Sequence, residues 1–313
     1  MSNRLFVSWA EKYFYYPSIF EYFISYLLLP ISFLWCLCAK IRRALKSPVD
    51  YHIPIISVGN LTIGGSGKTP ICVAIAKEMK KPAIVLRGYG RLSKGLFLVS
   101  NFGEILCDVK TSGDEAMLYA KKLKHASVIV SENRVSGIKK AKELGADIVI
   151  LDDGFGKIDI KKFDILIRPN PAPINNFCIP SGAYRESAKN YKNADLVIED
   201  NVDFERIVSI ENGADKMILI TAIANPSRLN KFLPPSVIAK KTFPDHYMFA
   251  KNELVKLLRS SGAASILATT KDAVKMEKFA LPLSILELEI KLYPHVKDIL
   301  KSYVQTQTPI QKS

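Results

Sequence analysis

The sequence predicts an α/β protein. A mostly parallel sheet flanked by helices is expected to carry a second, smaller α/β lobe after it and a membrane-associated helical segment before it. Three observations predict this. Short apolar, β-branched runs alternate with helix-length segments between residues 53 and 198, the pattern of strands joined by right-handed helical crossovers. The first of these runs leads into a glycine-rich loop and then a helix-compatible stretch. Ahead of it, residues 19–39 form an apolar run of about twenty residues, the length needed to cross a bilayer.

Taken in order, residues 1–18 are rich in aromatics (Phe6, Trp9, Tyr13, Phe14, Tyr15, Tyr16), the residue types that gather at membrane interfaces. The apolar run at 19–39 is interrupted by Glu21, Ser25, Pro30 and Ser32. A spanning helix, a kinked interfacial pair and a buried helical hairpin all remain open. Lys40, Arg42, Arg43 and Lys46 follow, which favours a membrane with this flank on the cytoplasmic side. A cleaved signal peptide is disfavoured, because no basic region precedes the run and no small-residue cleavage site follows it.

Residues 53–58 read as a buried strand. The loop Thr62-Ile-Gly-Gly-Ser-Gly67 follows, then Lys68, Thr69 and a helix over 69–80. This strand, glycine loop and helix start resemble a phosphate cradle of the P-loop NTPase-like type. Glycines let backbone N–H groups converge on an anion, and the helix N-terminus adds partial positive charge. Lys68 is expected to reach the β- and γ-phosphates and the Thr69 hydroxyl to bind Mg²⁺. Thr62 stands where the general motif has glycine. Pro70 is compatible with a first helical turn.

Further strands are expected at 83–87, 127–130, 147–151, 163–167 and 195–198, helices at 113–124 and 134–144, and a short hairpin from 96–100 and 105–109. Residues 169–180 carry Pro169, Pro171, Pro173 and Pro180 and read as an ordered loop or a domain boundary. Strands at 216–221 and 265–269 with helices at 252–260 and 272–279 suggest the second lobe. The expected division is 1–47 membrane segment, 48–215 core and 216–313 smaller lobe.

Candidate chemistry lies at strand and helix ends. Asp152 and Asp153 close an apolar strand, where ligands of open α/β sheets bind and where carboxylates can hold Mg²⁺ against phosphates. Asp114 and Glu115 open a helix, a place that also suits acids through the helix dipole alone. His246, in Phe243-Pro-Asp-His246, is a candidate for proton chemistry. Arg87 and Arg185 sit in glycine-bearing turns suited to phosphate.

Together these residues are similar to the tetraacyldisaccharide 4′-kinase family. The resemblance rests on Val58 through Pro70, Arg87-Gly-Tyr-Gly-Arg91, Gly113-Asp-Glu115, Asp152-Asp-Gly-Phe155, Gly182 through Glu186, Asp245-His246 and Thr269-Thr-Lys-Asp-Ala-Val274. Gly156-Lys157 departs from the Gln-His usual after Asp-Asp-Gly-Phe. The resemblance implies a kinase moving the ATP γ-phosphoryl group to an acylated glucosamine disaccharide 1-phosphate at the inner membrane, with its catalytic domain on the cytoplasmic side. It implies Asp114 as base with His246 as partner. Thr62, Ile63, Gly64, Gly65, Ser66, Gly67, Lys68 and Thr69 would hold the nucleotide, and Thr69, Asp152 and Asp153 the Mg²⁺. Asn60, Arg87 and Arg185 would meet the lipid substrate.

The composition is compatible with this. The 313 residues carry a net charge of +14, which favours anionic partners. No nucleic-acid signature is present, and no protein partner is implied. Five cysteines without paired spacing argue against a disulfide framework; Cys36 and Cys38 are expected to serve packing in a reducing compartment. A membrane NTPase without a lipid acceptor and a nucleotide-dependent scaffold are the rival readings.

Overall fold

The computed structural model describes residues 9–10, 12–64, 67–223, 226–245 and 247–307. An N-terminal pair of helices, α1 (Ile19–Leu27) and α2 (Leu29–Ala44), precedes the first lobe. That lobe runs β1 (Ile55–Gly59), α3 (Lys68–Lys77), β2 (Pro82–Leu86), β3 (Phe97–Asn101), β4 (Glu104–Ile105), α4 (Val109–Ser112), α5 (Asp114–Lys122) and β5 (Ser127–Val130). It continues through α6 (Arg134–Glu143), β6 (Ile148–Asp152), β7 (Phe163–Ile167) and β8 (Leu196–Ile198). The second lobe contains β9 (Phe204–Glu211), β10 (Met217–Thr221), β11 (Val237–Thr242), α7 (Lys251–Ser261), β12 (Ser265–Thr269), α8 (Thr270–Met276) and β13 (Leu283–Leu292). Helix α9 (Pro294–Gln307) ends the described chain.

The first sheet has eight strands in the order β4-β3-β5-β2-β6-β1-β7-β8, parallel except at the β3 and β4 edge. Its central strands β1, β2 and β6 are buried along their whole length, as parallel strands covered on both faces must be. The second sheet has five strands in the order β11-β10-β12-β13-β9, with β13 and β9 antiparallel. The α/β class with a mostly parallel sheet and a smaller second lobe is therefore as the sequence predicts. Its details differ in places. Residue 109 begins a helical turn capped by Asp108, whose carboxylate accepts from Thr111 N at 2.9 Å, so the expected second hairpin strand shrinks to β4. The expected 215/216 division runs through the second lobe, because β9 belongs to the second sheet. Helix α9 then crosses back: Val296 and Leu300 enter the first lobe's core, and the Tyr303 hydroxyl donates to Ile55 O at 3.0 Å.

Among the described residues no single helix is long and apolar enough to cross a membrane; α1 and α2 satisfy length and composition only together, bent by 54°. Pro30 sits in the first turn of α2, where it costs no hydrogen bond. The pair turns its polar residues inward. Glu21, Ser25 and Ser32 are buried, while Ile19 is 91% and Phe20 69% exposed. Ser25 Oγ donates to Ser181 O at 2.6 Å, Ser181 N donates to Ser32 Oγ at 2.8 Å, and Arg42 and Arg43 both bind Glu186. This burial pattern excludes the buried apolar hairpin. Cys36 is also not a packing residue: it is bonded to Cys178, a correction to the expectation from the cysteine count, with the two Cα atoms 6.2 Å apart. Cys38 is exposed and free.

Candidate active site

The site begins at the end of β1. Strand β6 pairs with β1 so that Val58 lies opposite Asp152, and Asp153 N donates to Val58 O at 3.0 Å. This register sets the acidic strand end beside the glycine loop. Gly59 permits the approach: a Cβ there would lie 2.7 Å from Phe155 Cβ. Asn60 is buried and organises the turn. Its amide donates to Thr62 O at 2.7 Å, and its carbonyl accepts from Lys68 Nζ at 3.0 Å. Thr62 is buried, which suits its place in a bridge to Tyr184. Ile63 N donates to Ala183 O at 2.9 Å and Arg185 N to Leu61 O at 2.7 Å. Residues 183–185 therefore brace the loop, and they also connect it to the α1–α2 pair through Ser181 and Glu186. Gly64 and Gly67 take φ of 103° and 76°, conformations that glycine adopts without a Cβ penalty. Gly67 is the N-cap of α3 and places Lys68 and Thr69 in its first turn. Gly65, Ser66 and His246 lie outside the described residues.

Asp152 and Asp153 are adjacent in sequence and differ in charge environment. Asp152 is buried, and burial followed by the charge of Glu115 pushes its carboxyl up to about 6, against the pull of Lys68 and of the Tyr119 hydroxyl, which donates at 2.9 Å. Burial would also raise Asp153, but Lys68 at 3.5 Å and Arg185 at 3.4 Å more than offset it and hold the carboxyl below the usual range. Arg134 donates to Ser131 O at 2.8 Å and to Asp152 O at 3.2 Å, tying α6 to two strand ends. Arg87 is exposed beyond β2. Lys157, the residue that departs from the family pattern, is lowered first by burial and then by Arg134, with Arg87 and Lys46 adding to the effect. The departure thus adds a third cation to the Arg87 and Arg134 group.

Asp114 opens α5 and is buried. Its carboxylate accepts from Glu115 N at 3.0 Å and lies 3.7 Å from Lys271 and 3.6 Å from Lys275, both on α8 of the second lobe. Between the lobes lies a cleft of about 950 Å³. Its first-lobe wall includes Gly64, Gly67, Lys68 and Thr69, its second-lobe wall Arg206 and Lys271, and Val73, Leu288 and Ile290 give it an apolar side. Arg206 reaches across to the loop: a Cβ on Gly67 would lie 3.3 Å from its guanidinium. Asp200 holds it at 3.0 Å. Nothing in the local sequence marks Tyr119, Arg134 or Arg206 as site residues. Only Lys271 carried a signal, its place in Thr269-Thr-Lys-Asp-Ala-Val274.

The fold and this loop define a P-loop-like α/β protein whose glycine loop opens onto a two-lobed cleft. Residues 24–305 match the model of the family described as Tetraacyldisaccharide-1-P 4′-kinase. A tetraacyldisaccharide 4′-kinase of Aliarcobacter butzleri is 45% identical over 95% of this chain and 97% of its own length. One of Helicobacter pylori is 47% identical over 94% of each chain. A crystal structure of LpxK from Aquifex aeolicus in complex with ATP superposes with a TM-score of 0.76 at 27% identity, covering 91% of this chain and 99% of that one. The chain belongs to the tetraacyldisaccharide 4′-kinase family.

Proposed function

We propose that this chain transfers the γ-phosphoryl group of ATP to the 4′-hydroxyl of a tetraacylated glucosamine disaccharide 1-phosphate at the cytoplasmic face of the inner membrane. The carrying observation is that Lys68 lines the cleft with Asp153 3.5 Å from its ammonium, while Lys271 on the opposite wall lies 3.7 Å from Asp114, in a chain of this family. The loop from Thr62 to Gly67 and Lys68 hold the phosphates, and Lys68 neutralises charge that develops in transfer. Asn60 aims Lys68 from behind through the 3.0 Å hydrogen bond.

The residues present suit Mg²⁺. Among the described residues no trio of His, Cys, Asp and Glu forms a protein-only metal site, and Mg²⁺ typically takes one or two carboxylates plus phosphate oxygens. Asp152 is a buried carboxyl raised to about 6, and a divalent cation beside it would reverse that cost. Thr69, Asp152 and Asp153 would hold the ion. When bound, it would supply charge neutralisation for the phosphates. Asp114, with His246 as partner, takes the proton of the acceptor hydroxyl. Arg87 and Arg185 meet the anionic lipid. The outward apolar side of α1 and α2 rests on the membrane, with Lys40 beside the headgroups.

The test is incubation of the purified protein with labelled ATP and disaccharide 1-phosphate in mixed micelles. Labelled lipid is expected, and Lys68→Ala should reduce transfer by about 10²–10³-fold with the thermal melt unchanged. ATP hydrolysis without labelled lipid would favour the acceptor-free NTPase instead.

A further inference from the structure

Helix α8 aims two ammonium groups at the start of α5. Lys275 is buried, 3.0 Å from Asp272 and 3.6 Å from Asp114. Asp272 is itself committed: its carboxylate accepts from the Thr221 hydroxyl at 2.7 Å, Ala222 N at 3.0 Å and the Thr269 hydroxyl at 2.9 Å. These contacts anchor α8 at the tip of its own lobe. Lys271, one turn earlier on the same face, lies 3.7 Å from Asp114, 3.7 Å from Glu115 and 3.3 Å from Asp245. Burial pulls its ammonium down, but Asp114, then Glu115 and Asp245, more than offset this and keep it charged. It also lines the cleft. Lys121 and Lys122 of α5 pair with Glu277 and Glu287 of the second lobe, so the lobes meet along this helix.

We propose that Lys271 is a positioning residue for phosphoryl transfer: its single ammonium gathers Asp114 and Glu115 of the first lobe and Asp245 of the second, and so fixes the Asp114 carboxylate against the phosphate cradle. The inference deepens the kinase reading and rests on it. Like charges this close repel one another, so without the ammonium the carboxylates turn apart toward water. Lys275 also faces Asp114 at 3.6 Å, but its shorter pair, at 3.0 Å, is with Asp272, and it is Lys271 that joins Asp114 to Glu115 and Asp245. A displacement of the base by about 1 Å is enough to cost on the order of 10²-fold in rate.

The experiment measures kcat and the KM for ATP of the full chain carrying Lys271→Met, Lys271→Gln or Lys271→Arg, each checked by thermal melt. The neutral variants should lose about 10²-fold in kcat with KM for ATP within about twofold, and Lys271→Arg should recover most of the loss by restoring the charge. A neutral variant with wild-type kcat, or a loss confined to KM for ATP, overturns the proposal. If Lys271→Met does not fold, Lys271→Gln, polar at a partly exposed position, decides on the same criteria. Failure of this inference is distinguishable from failure of the kinase reading: the first leaves the wild-type chain making labelled lipid, and the second does not.

Discussion

Helix α3, with the sequence KTPICVAIAK, and the pair α1–α2 are both rich in apolar residues. In α3 residues 71–76 are all buried, whereas in α1 and α2 the buried residues are Glu21, Ser25 and Ser32. The difference lies in what covers each. Helix α3 is clamped between the first sheet and β13, so residues 71–76 are covered by protein while Val73 also borders the cleft. The pair touches protein on one side only, through hydroxyls, Trp35 to Arg185 O at 2.8 Å and the Glu186 ion pairs. A stripe of exposed Phe20, Phe23, Leu34 and Trp35 is far more apolar surface than a water-facing helix needs. Apolar composition alone thus does not separate a helix covered by protein from one whose apolar side is exposed.

The comparison breaks most severely at Ile75. It is fully buried, so Ile75→Asp loses its apolar burial and buries an unpaired carboxylate, a cost of about 5 kcal/mol or more. The cooperative melt seen by circular dichroism should disappear. A soluble Ile75→Asp protein with a normal melt would mean that α3 is not clamped.

A buried charge sharpens the comparison from the other side. Asp152 is held near 6 in the folded chain against about 3.9 when unfolded. Between those values the folded state keeps a proton that the unfolded state has lost, so stability falls as pH rises through that window, and the deficit remains above it. Asp152→Asn removes the buried charge. Without Mg²⁺ it should gain on the order of 2–3 kcal/mol at pH 8, with the gain shrinking toward pH 4, while transfer activity is lost. A gain of equal size at both pH values would show that the charge is not its origin.

The smallest effect on stability is expected in the hairpin. Phe20→Asp with Phe23→Asp changes two exposed side chains and should shift stability by no more than about 0.5 kcal/mol each. Sedimentation with vesicles of anionic lipid should nevertheless drop sharply. A collapse of the melt, with binding unchanged, would make these residues core after all.

Much of the site was legible because its signals are local. The buried run ending at Gly59, the glycine loop and Lys68-Thr69 dictate a strand, a turn and a helix start within one short stretch. The apolar strand ending in Asp152 and Asp153 likewise marks itself. Strands β9 and β13 were not legible, because Glu205, Arg206, Glu287, Glu289 and Lys291 interrupt their apolar residues. Glu205 and Lys291 pair on the surface at 2.9 Å, whereas Arg206 turns to Gly67 and Glu287 to Lys122, so these charges serve contacts that only the fold creates. The Cys36–Cys178 bond joins residues 142 positions apart, a distance no spacing rule spans.

Neighbouring residues alone specify the strand, glycine loop and helix start, the strand-end carboxylates and the motifs of the family, since these are read over short stretches of chain. Only the tertiary structure decided that Val58 stands opposite Asp152, that Arg206 lies over Gly67, that Lys271 meets Asp114, and that the hairpin turns its polar side inward. Each of these is a contact between residues far apart in the chain. The identity of an arginine, a lysine or a serine does not say which distant group will face it, because burial and register, not residue type, choose the partner.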